Sequence, residues 1–393
     1  MSTQPAGVSL NHGRLVQYIT GIQGVSPGSI ATVQIPVNAR YHRLIFQCTA
    51  GTTYATAPAV AMPAGAGGTL ATLASVINAA GQVIAVTVTT PGSGMTPGVY
   101  PLTFSGGGGT GAMATATVNA GGTLTVDNVI LQAQGGGGWV LGNVFFTNVK
   151  HQVGGTNIRD SVPSNVLGIC AANGYVVNPG EFPVFFTEPW RNMVRHNANT
   201  SWDLTGQSTY QLTMAINQSV VSPGLVGIME FDSFRNVTTT VDSKGNQTTV
   251  PTLAIVTQHD YNFPLAGGNS ANLINTIPFQ NRGILRLWLN GATPNSITQF
   301  EVYQDGNKIL EATTTQINQL LSEYGFAFSG SGFSQAGVNG LVKNPFNAAF
   351  VADIDQRVWK ALYCTTKFEI RVYSTVAQNL TITSETLTTG YIG

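Results

Sequence analysis

The residues of this chain whose types suit chemistry are five histidines, three cysteines and one close pair of aspartates. His12, His42, His151, His196 and His259 stand far apart, and none shares a metal-ligand spacing with a Cys or carboxylate, so no metal is expected. Cys48, Cys170 and Cys364 are odd in number, widely separated and set among apolar residues, which reads as buried thiols and not a disulfide framework. Asp353 and Asp355 flank Ile354 at i, i+2, one face of a strand, as a glycosidase pair would require. Arg357 and Lys360 follow directly, which favours a loop ion pair. The glycine runs 106–109 and 135–138 lack the Gly-Lys-Ser/Thr of a phosphate loop, and no Gly-x-Ser-x-Gly elbow occurs. The chain is therefore expected to be no enzyme, with no catalytic residue and no cofactor.

The sharpest local feature is Phe185-Phe186-Thr187-Glu188-Pro189-Trp190-Arg191. Trp and Arg are enriched at binding hot spots, which makes Glu188, Trp190 and Arg191 candidate assembly contacts. The same run also reads as a strand end stopped by Pro189, with Trp190 over the core and Arg191 paired to Glu188; both readings stand. Trp202 and Trp359 each lead into a late strand and are read as core residues.

The elements that would position these residues come in two matched sets. Ile35-Pro36 through Arg40 to Phe46 matches Ile277-Pro278 through Arg282 to Trp288 at an offset of 242, and Gly155 to Asp160 matches Gly306 to Glu311 at an offset of 151. The drop of 91 means that the first copy holds an insertion of about that length. Strands are expected near 30–37, 42–48, 144–152, 182–187, 209–217 and 225–231, and again near 253–258, 272–279, 284–289, 298–304, 348–352, 367–374 and 379–387. Short edge strands would bring each copy to about eight, the number a jelly roll needs. Ile317, Leu320, Leu321 and Tyr324 predict a helix with an apolar stripe in the second copy, and Val166, Ile169, Cys170 and Asn173 mirror it in the first. The fold class is therefore all-β: two tandem jelly rolls, each with one short helix, and a Gly-rich β insertion in the first. The division is 1–235 for the first roll, interrupted by 53–143; 236–250 for a connecting hairpin; and 251–393 for the second roll.

Inside the insertion, Ile77-Asn78-Ala79-Ala80-Gly81 aligns with Val118-Asn119-Ala120-Gly121-Gly122 at an offset of 41, and Asp127 is the only charged residue between Gly51 and Asn148. This reads as a small β-module looped out into solvent. Over the whole chain only 9% of residues are charged, against roughly 25% in an average soluble domain. Net charge is zero, so no basic stripe exists to neutralise phosphates, and direct nucleic-acid binding is not expected. The first residues show no basic-then-apolar signal pattern and no run approaches about 18 apolar residues, which predicts a chain made in the cytoplasm that does not cross a membrane.

These tandem β-copies, the Ile-Pro…Arg strand pairs at 35–46 and 277–288, the 185–191 run, the Asp353–Trp359 segment and the final strands 368–374 and 379–387 together resemble a double jelly-roll major capsid protein. The family is that of icosahedral, internal-membrane-containing, tailless bacteriophages. The resemblance covers roughly 15–52 and 144–393. It implies a virion protein assembled in the host cytoplasm, whose homotrimers form pseudo-hexagonal capsomers that tile a shell. It further implies contacts with minor capsid, vertex and membrane proteins and an N-terminus facing the internal lipid membrane. Gly67, Gly108 and Asp127 would then lie on an outward tower. A trimeric viral spike and a jelly-roll carbohydrate-binding protein or glycosidase are the rival readings.

Overall fold

The computed structural model describes residues 14–190, 200–204, 206–232, 237–241, 245, 247–251, 254–280, 282–293, 295–328, 344–352, 354 and 361–389. The chain begins with β1 (Leu15–Ile19), β2 (Ile30–Gln34) and β3 (Arg40–Ala50). The insertion follows with β4 (Ala59–Ala61), β5 (Thr72–Ile77), β6 (Val83–Thr90), β7 (Gly98–Pro101), β8 (Thr103–Ser105), β9 (Ala112–Val118), β10 (Val129–Gln134) and β11 (Gly138–Trp139). A helical turn α1 (Gly142–Phe145) returns to the roll, which continues with β12 (Phe146–Val153), β13 (Thr156–Ser161), helix α2 (Pro163–Ala172), β14 (Glu181–Phe185), β15 (Trp202–Asp203), β16 (Tyr210–Ile216) and β17 (Gly224–Asp232). A hairpin of β18 (Val237–Val241) and β19 (Gln247–Pro251) leads to β20 (Ala254–Leu265), β21 (Ala271–Ile274), β22 (Gly283–Gly291), β23 (Ile297–Gln304), β24 (Asn307–Thr313), helix α3 (Thr314–Glu323), β25 (Ala348–Val351), β26 (Phe368–Ser374) and β27 (Gln378–Thr389).

Strict alternation makes the strands two-faced. In β16, Tyr210, Leu212, Met214 and Ile216 are buried while the residues between them are half-exposed, as a sheet with one face on a core demands. The first roll opposes β1-β17-β3, with β14 on the far edge of β3, to β2-β16-β12-β13. The second opposes β20-β27-β22-β25 to β21-β26-β23-β24. Each is an eight-stranded double-sheet jelly roll. The duplication extends to local defects: β12 and β13 pair with a bulge at Ile158, and β23 and β24 pair with the same bulge at Ile309, 151 residues later. Helices α2 and α3 obey the same offset. Thr313 and Gln316 form a capping box on α3, whereas α2 starts with Pro163 at its first turn.

Three expectations need correction. The strand expected from 144 starts at Phe146, because Leu141 opens a helical turn that accepts from Val144 and Phe145. Of the expected helix stripe Ile317 and Leu321 face inward, with Asn318 and Ser322 beside them, whereas Leu320 and Tyr324 are exposed. Cys364 is half-exposed, unlike Cys48 and Cys170. The edge strands β1, β13 and β24 had no individual sequence signal.

The two rolls share one sheet. Arg159 and Asp160 of β13 pair in parallel with Gln258 and His259 of β20, giving the eight-stranded order β2-β16-β12-β13-β20-β27-β22-β25. Their cores interlock as well: Ile255 of β20 sits in the apolar cluster of the first roll, and Ile169 and Ala172 of α2 sit in that of the second. Each such buried Ile contributes on the order of 1.5–3 kcal/mol, so the rolls stabilise one another.

The insertion has its own apolar cluster, including Tyr54, Met62, Leu73, Val83, Met95 and Leu124. Its sheets run β6-β5-β4-β8 and β10-β9-β7. The internal repeat is visible in its turns: Asn78 Oδ1 accepts from the Ala80 and Gln82 amides, and Asn119 Oδ1 from those of Gly121 and Thr123. Both turns close on a left-handed glycine, Gly81 and Gly122, each at φ +71°, where a Cβ would meet backbone oxygen at 2.5 and 2.9 Å. The chain leaves and re-enters the roll at one place, since Gly137 donates to the Ala50 carbonyl at 2.9 Å and Gly138 pairs with Ala50. Replacing residues 52–136 by one glycine should therefore leave a soluble, cooperatively melting protein in calorimetry; loss of the transition would show that the insertion is part of the roll's folding unit.

Candidate functional site at the junction of the two rolls

The 185–191 run leads out of β14 and into the junction. The Phe186 and Thr187 amides both donate to the His42 carbonyl, at 2.9 and 3.1 Å, which bends the chain off the sheet. Phe186 stacks on Trp202 with ring centres 4.4 Å apart, and His151 and Tyr210 complete the aromatic group. Two residues on, the buried Glu188 carboxylate accepts from both terminal nitrogens of Arg286, at 2.8 and 3.1 Å. Arg286 belongs to β22 of the second roll and is wholly buried. Glu385 of β27 completes the group, accepting from Trp288 Nε1 at 2.7 Å and from Arg286 at 3.5 Å. Trp190 packs against both apolar clusters and lies edge-on to Phe185.

A second cation stands beside this pair. Arg159 donates to the carbonyls of Val256 at 3.1 Å and Phe185 at 2.6 Å, and its guanidinium lies 5.1 Å from the Trp202 ring centre. Between Arg159, Cys170, Trp190, Gln258 and Glu385 is a cavity of about 30 Å³, the room of a water and not of a substrate. Burial pushes the Glu385 carboxyl above the usual range, Glu188 adds to this, and Arg286 opposes it. Burial, assisted by Arg159, holds His151 well below the usual histidine range, so it is neutral at pH 7.

Glu188 and Trp190 thus meet at the junction. Arg191 lies outside the described residues, as do Asp353, Asp355, Arg357, Trp359 and Lys360. Gly67 closes the short turn Ala64–Ala66 at φ +67°, and Gly108 and Asp127 are exposed, all three in the insertion with its separate core. Among the described residues no three His, Cys, Asp or Glu side chains are placed to hold a metal ion. His42 bonds Asp232 at 2.7 Å, which Arg40 also engages, and burial lowers the pKa of His259. Burial raises the Cys170 thiol to about 12 and the Cys364 thiol to about 11, which keeps both protonated and unreactive at neutral pH.

Sequence reading passed over Arg286, Trp288, Glu385 and Arg159. The signal was there in one form: a lone Arg inside Gly283-Ile-Leu-Arg-Leu-Trp-Leu289, an apolar run that only a paired charge can enter.

No family model matches the chain, and no curated protein matches it. Solved structures do. The major capsid protein P2 from bacteriophage PM2 is 11% identical, with a TM-score of 0.59 over 97% of this chain and 99% of that one. The STIV MCP is 7% identical, with a TM-score of 0.54 over 96% and 97%. The atomic structure of Sulfolobus turreted icosahedral virus contains a chain 8% identical, with a TM-score of 0.50 over 95% and 90%.

Two outcomes test the junction. Arg286→Met would leave Glu188 and Glu385 buried beside each other without their shared cation, and should lower the urea-unfolding free energy by about 3–5 kcal/mol at pH 7. Glu385 has a folded pKa above its unfolded one, so the cost of its charge is carried at high pH and relieved as pH falls through the folded value. The stability of the native chain relative to Glu385→Gln should therefore rise between pH 8 and pH 5; a flat difference would mean that the carboxyl titrates alike in both states. Over nearly its whole length the chain has the double jelly-roll fold of these capsid proteins.

Proposed function

We propose that this chain is the major capsid protein of an icosahedral virus and that it builds the shell as homotrimeric, pseudo-hexagonal capsomers. The observation that carries this is the likeness in fold to capsid protein P2, which covers 97% and 99% of the two chains. Physical chemistry supports it. A chain with two similar sides, closed head to tail three times, makes a six-sided tile by heterologous contacts. A zero net charge on 393 residues with few charges of either sign lets such tiles approach edge to edge without repulsion.

The division of the chain is part of the proposal: a first roll over 1–235, a connecting hairpin over 236–250 and a second roll over 251–393. The 53–143 insertion, with Gly67, Gly108 and Asp127, forms an outward tower. Glu188 and Trp190 serve assembly from inside the chain, by fixing the junction that sets the angle of the two rolls, and Arg191 is a contact to neighbouring capsomers. Partners are further copies of the chain and the minor capsid, vertex and membrane proteins of the virion, with the N-terminal residues toward an internal membrane. No helix among the described residues is long and apolar enough to cross a membrane. The reading assigns the chain no catalysis, no cofactor and no direct nucleic-acid contact. It places assembly in the host cytoplasm and the product in the virion.

Light scattering of the purified protein should give three times the 41.3 kDa chain mass, and electron microscopy flat hexagonal particles. An elongated trimer would instead favour a spike, and a stable monomer a carbohydrate-binding protein.

A further inference from the structure

The internal junction joins β13 and α2 of the first roll to β20 of the second. Because the chain is duplicated, it carries the same three elements once more, without a neighbour among the described residues: β24 and α3 at the outer end of the second roll, β1 at the outer end of the first. β24 and β1 are each the last strand of their sheet, a row of open backbone donors and acceptors.

The equivalences are fixed by register. An offset of 151 maps Ile158 onto Ile309, Arg159 onto Leu310, Asp160 onto Glu311, Ile169 onto Leu320 and Asn173 onto Tyr324. Met229 faces Leu44 and Gln17, while Glu385 faces Arg286 and Gln258. Leu44 and Arg286 are 242 residues apart, so Gln17 corresponds to Gln258, Tyr18 to His259 and Leu15 to Val256.

Exposure then separates the two sets. Inside the junction Ile158, Ile169 and Val256 are 2%, 4% and 3% exposed; their counterparts Ile309, Leu320 and Leu15 are 42%, 42% and 53% exposed. Tyr324 at 45% adds to the bare surface of α3, and Val16 at 61% and Tyr18 at 71%, on the opposite face of β1 from Leu15, leave that edge strand bare on both sides. The chain thus presents, at its two ends, the apolar halves of an interface it has already built once in its middle.

We propose that β24 and α3 of one copy dock on β1 of the next, repeating between chains the parallel β13–β20 pairing, with Leu310 beside Gln17 and Glu311 beside Tyr18 of the neighbouring copy. This rests on the capsomer reading and gives it a register. Three copies then close a ring of six like seams, three within chains and three between them. The two kinds of seam differ in chemistry. Where the internal one has Arg159, Arg286 and Glu385, the equivalent positions hold Leu310, Leu44 and Met229, so the seam between copies is apolar where the internal one is ionic.

The test is a Tyr18→Cys/Glu311→Cys variant oxidised with copper phenanthroline. On a non-reducing gel it should form linked species of two and three chains, while each single variant stays at one. Leu320→Asp, at a position that a lone chain leaves in solvent, should keep a cooperative melt and fall to a single-chain mass in light scattering. A native trimer whose double-cysteine variant does not link, or links equally well through either cysteine alone, would overturn the seam and leave the capsomer standing. A trimeric Leu320→Asp would do the same. A monomeric native protein would overturn the capsomer reading first.

Discussion

Arg286 is the charge around which this structure is arranged. A guanidinium with no solvent exposure carries a large desolvation cost, offset only if carboxylates meet it in good geometry. Glu188 does so from the first roll and Glu385 from the second, so the group is complete only when both rolls are folded and in contact. The apolar exchange around it, with Ile255 one way and Ile169 and Ala172 the other, adds energy without direction. The ion group adds direction: a slip of one residue between β13 and β20 would turn Arg159 to the wrong face of the sheet. Rigidity between the rolls is thus written into a handful of buried polar atoms.

The chain is at the same time an interface already made and one still open. Its central seam buries edge strand, helix and edge strand; its two ends leave the equivalents bare. A sheet edge with exposed Leu15, Val16 and Tyr18 and no Lys or Pro to blunt it would be an aggregation hazard in a protein meant to stay alone. In the trimer proposed above it would be the driving surface. Low charge serves the same end, since few ions must be desolvated when copies meet.

The insertion follows another logic. It leaves and rejoins the first roll beside Ala50, touches that roll's core through Ala133 and Met113, and otherwise carries its own core, so most of its sequence is free of the constraints that hold the rolls. Glycine is concentrated there because tight Asx turns and close-packed loops need left-handed backbone without a Cβ. Such a module can vary with little effect on the cores of the two rolls.

Much of this was legible in the amino-acid order. Alternating apolar residues marked the central strands, the offsets of 242 and 151 marked the duplication, and their difference marked the insertion, because patterns of period two and repeated spacings are local properties of a chain. The short strands β1, β13 and β24 were not legible, since their burial does not alternate: β1 and β24 are exposed along most of their length, and β13 buries the neighbours Ile158 and Arg159 across a bulge. Nor was the exposure of Leu320 and Tyr324: a helix stripe shows that a face is apolar, not which body covers it. The partners of Glu188 were beyond reach for the same reason. Arg286 lies 98 residues away and Glu385 99 beyond that, and only the packing of one roll on the other brings three such distant charges within hydrogen-bond range.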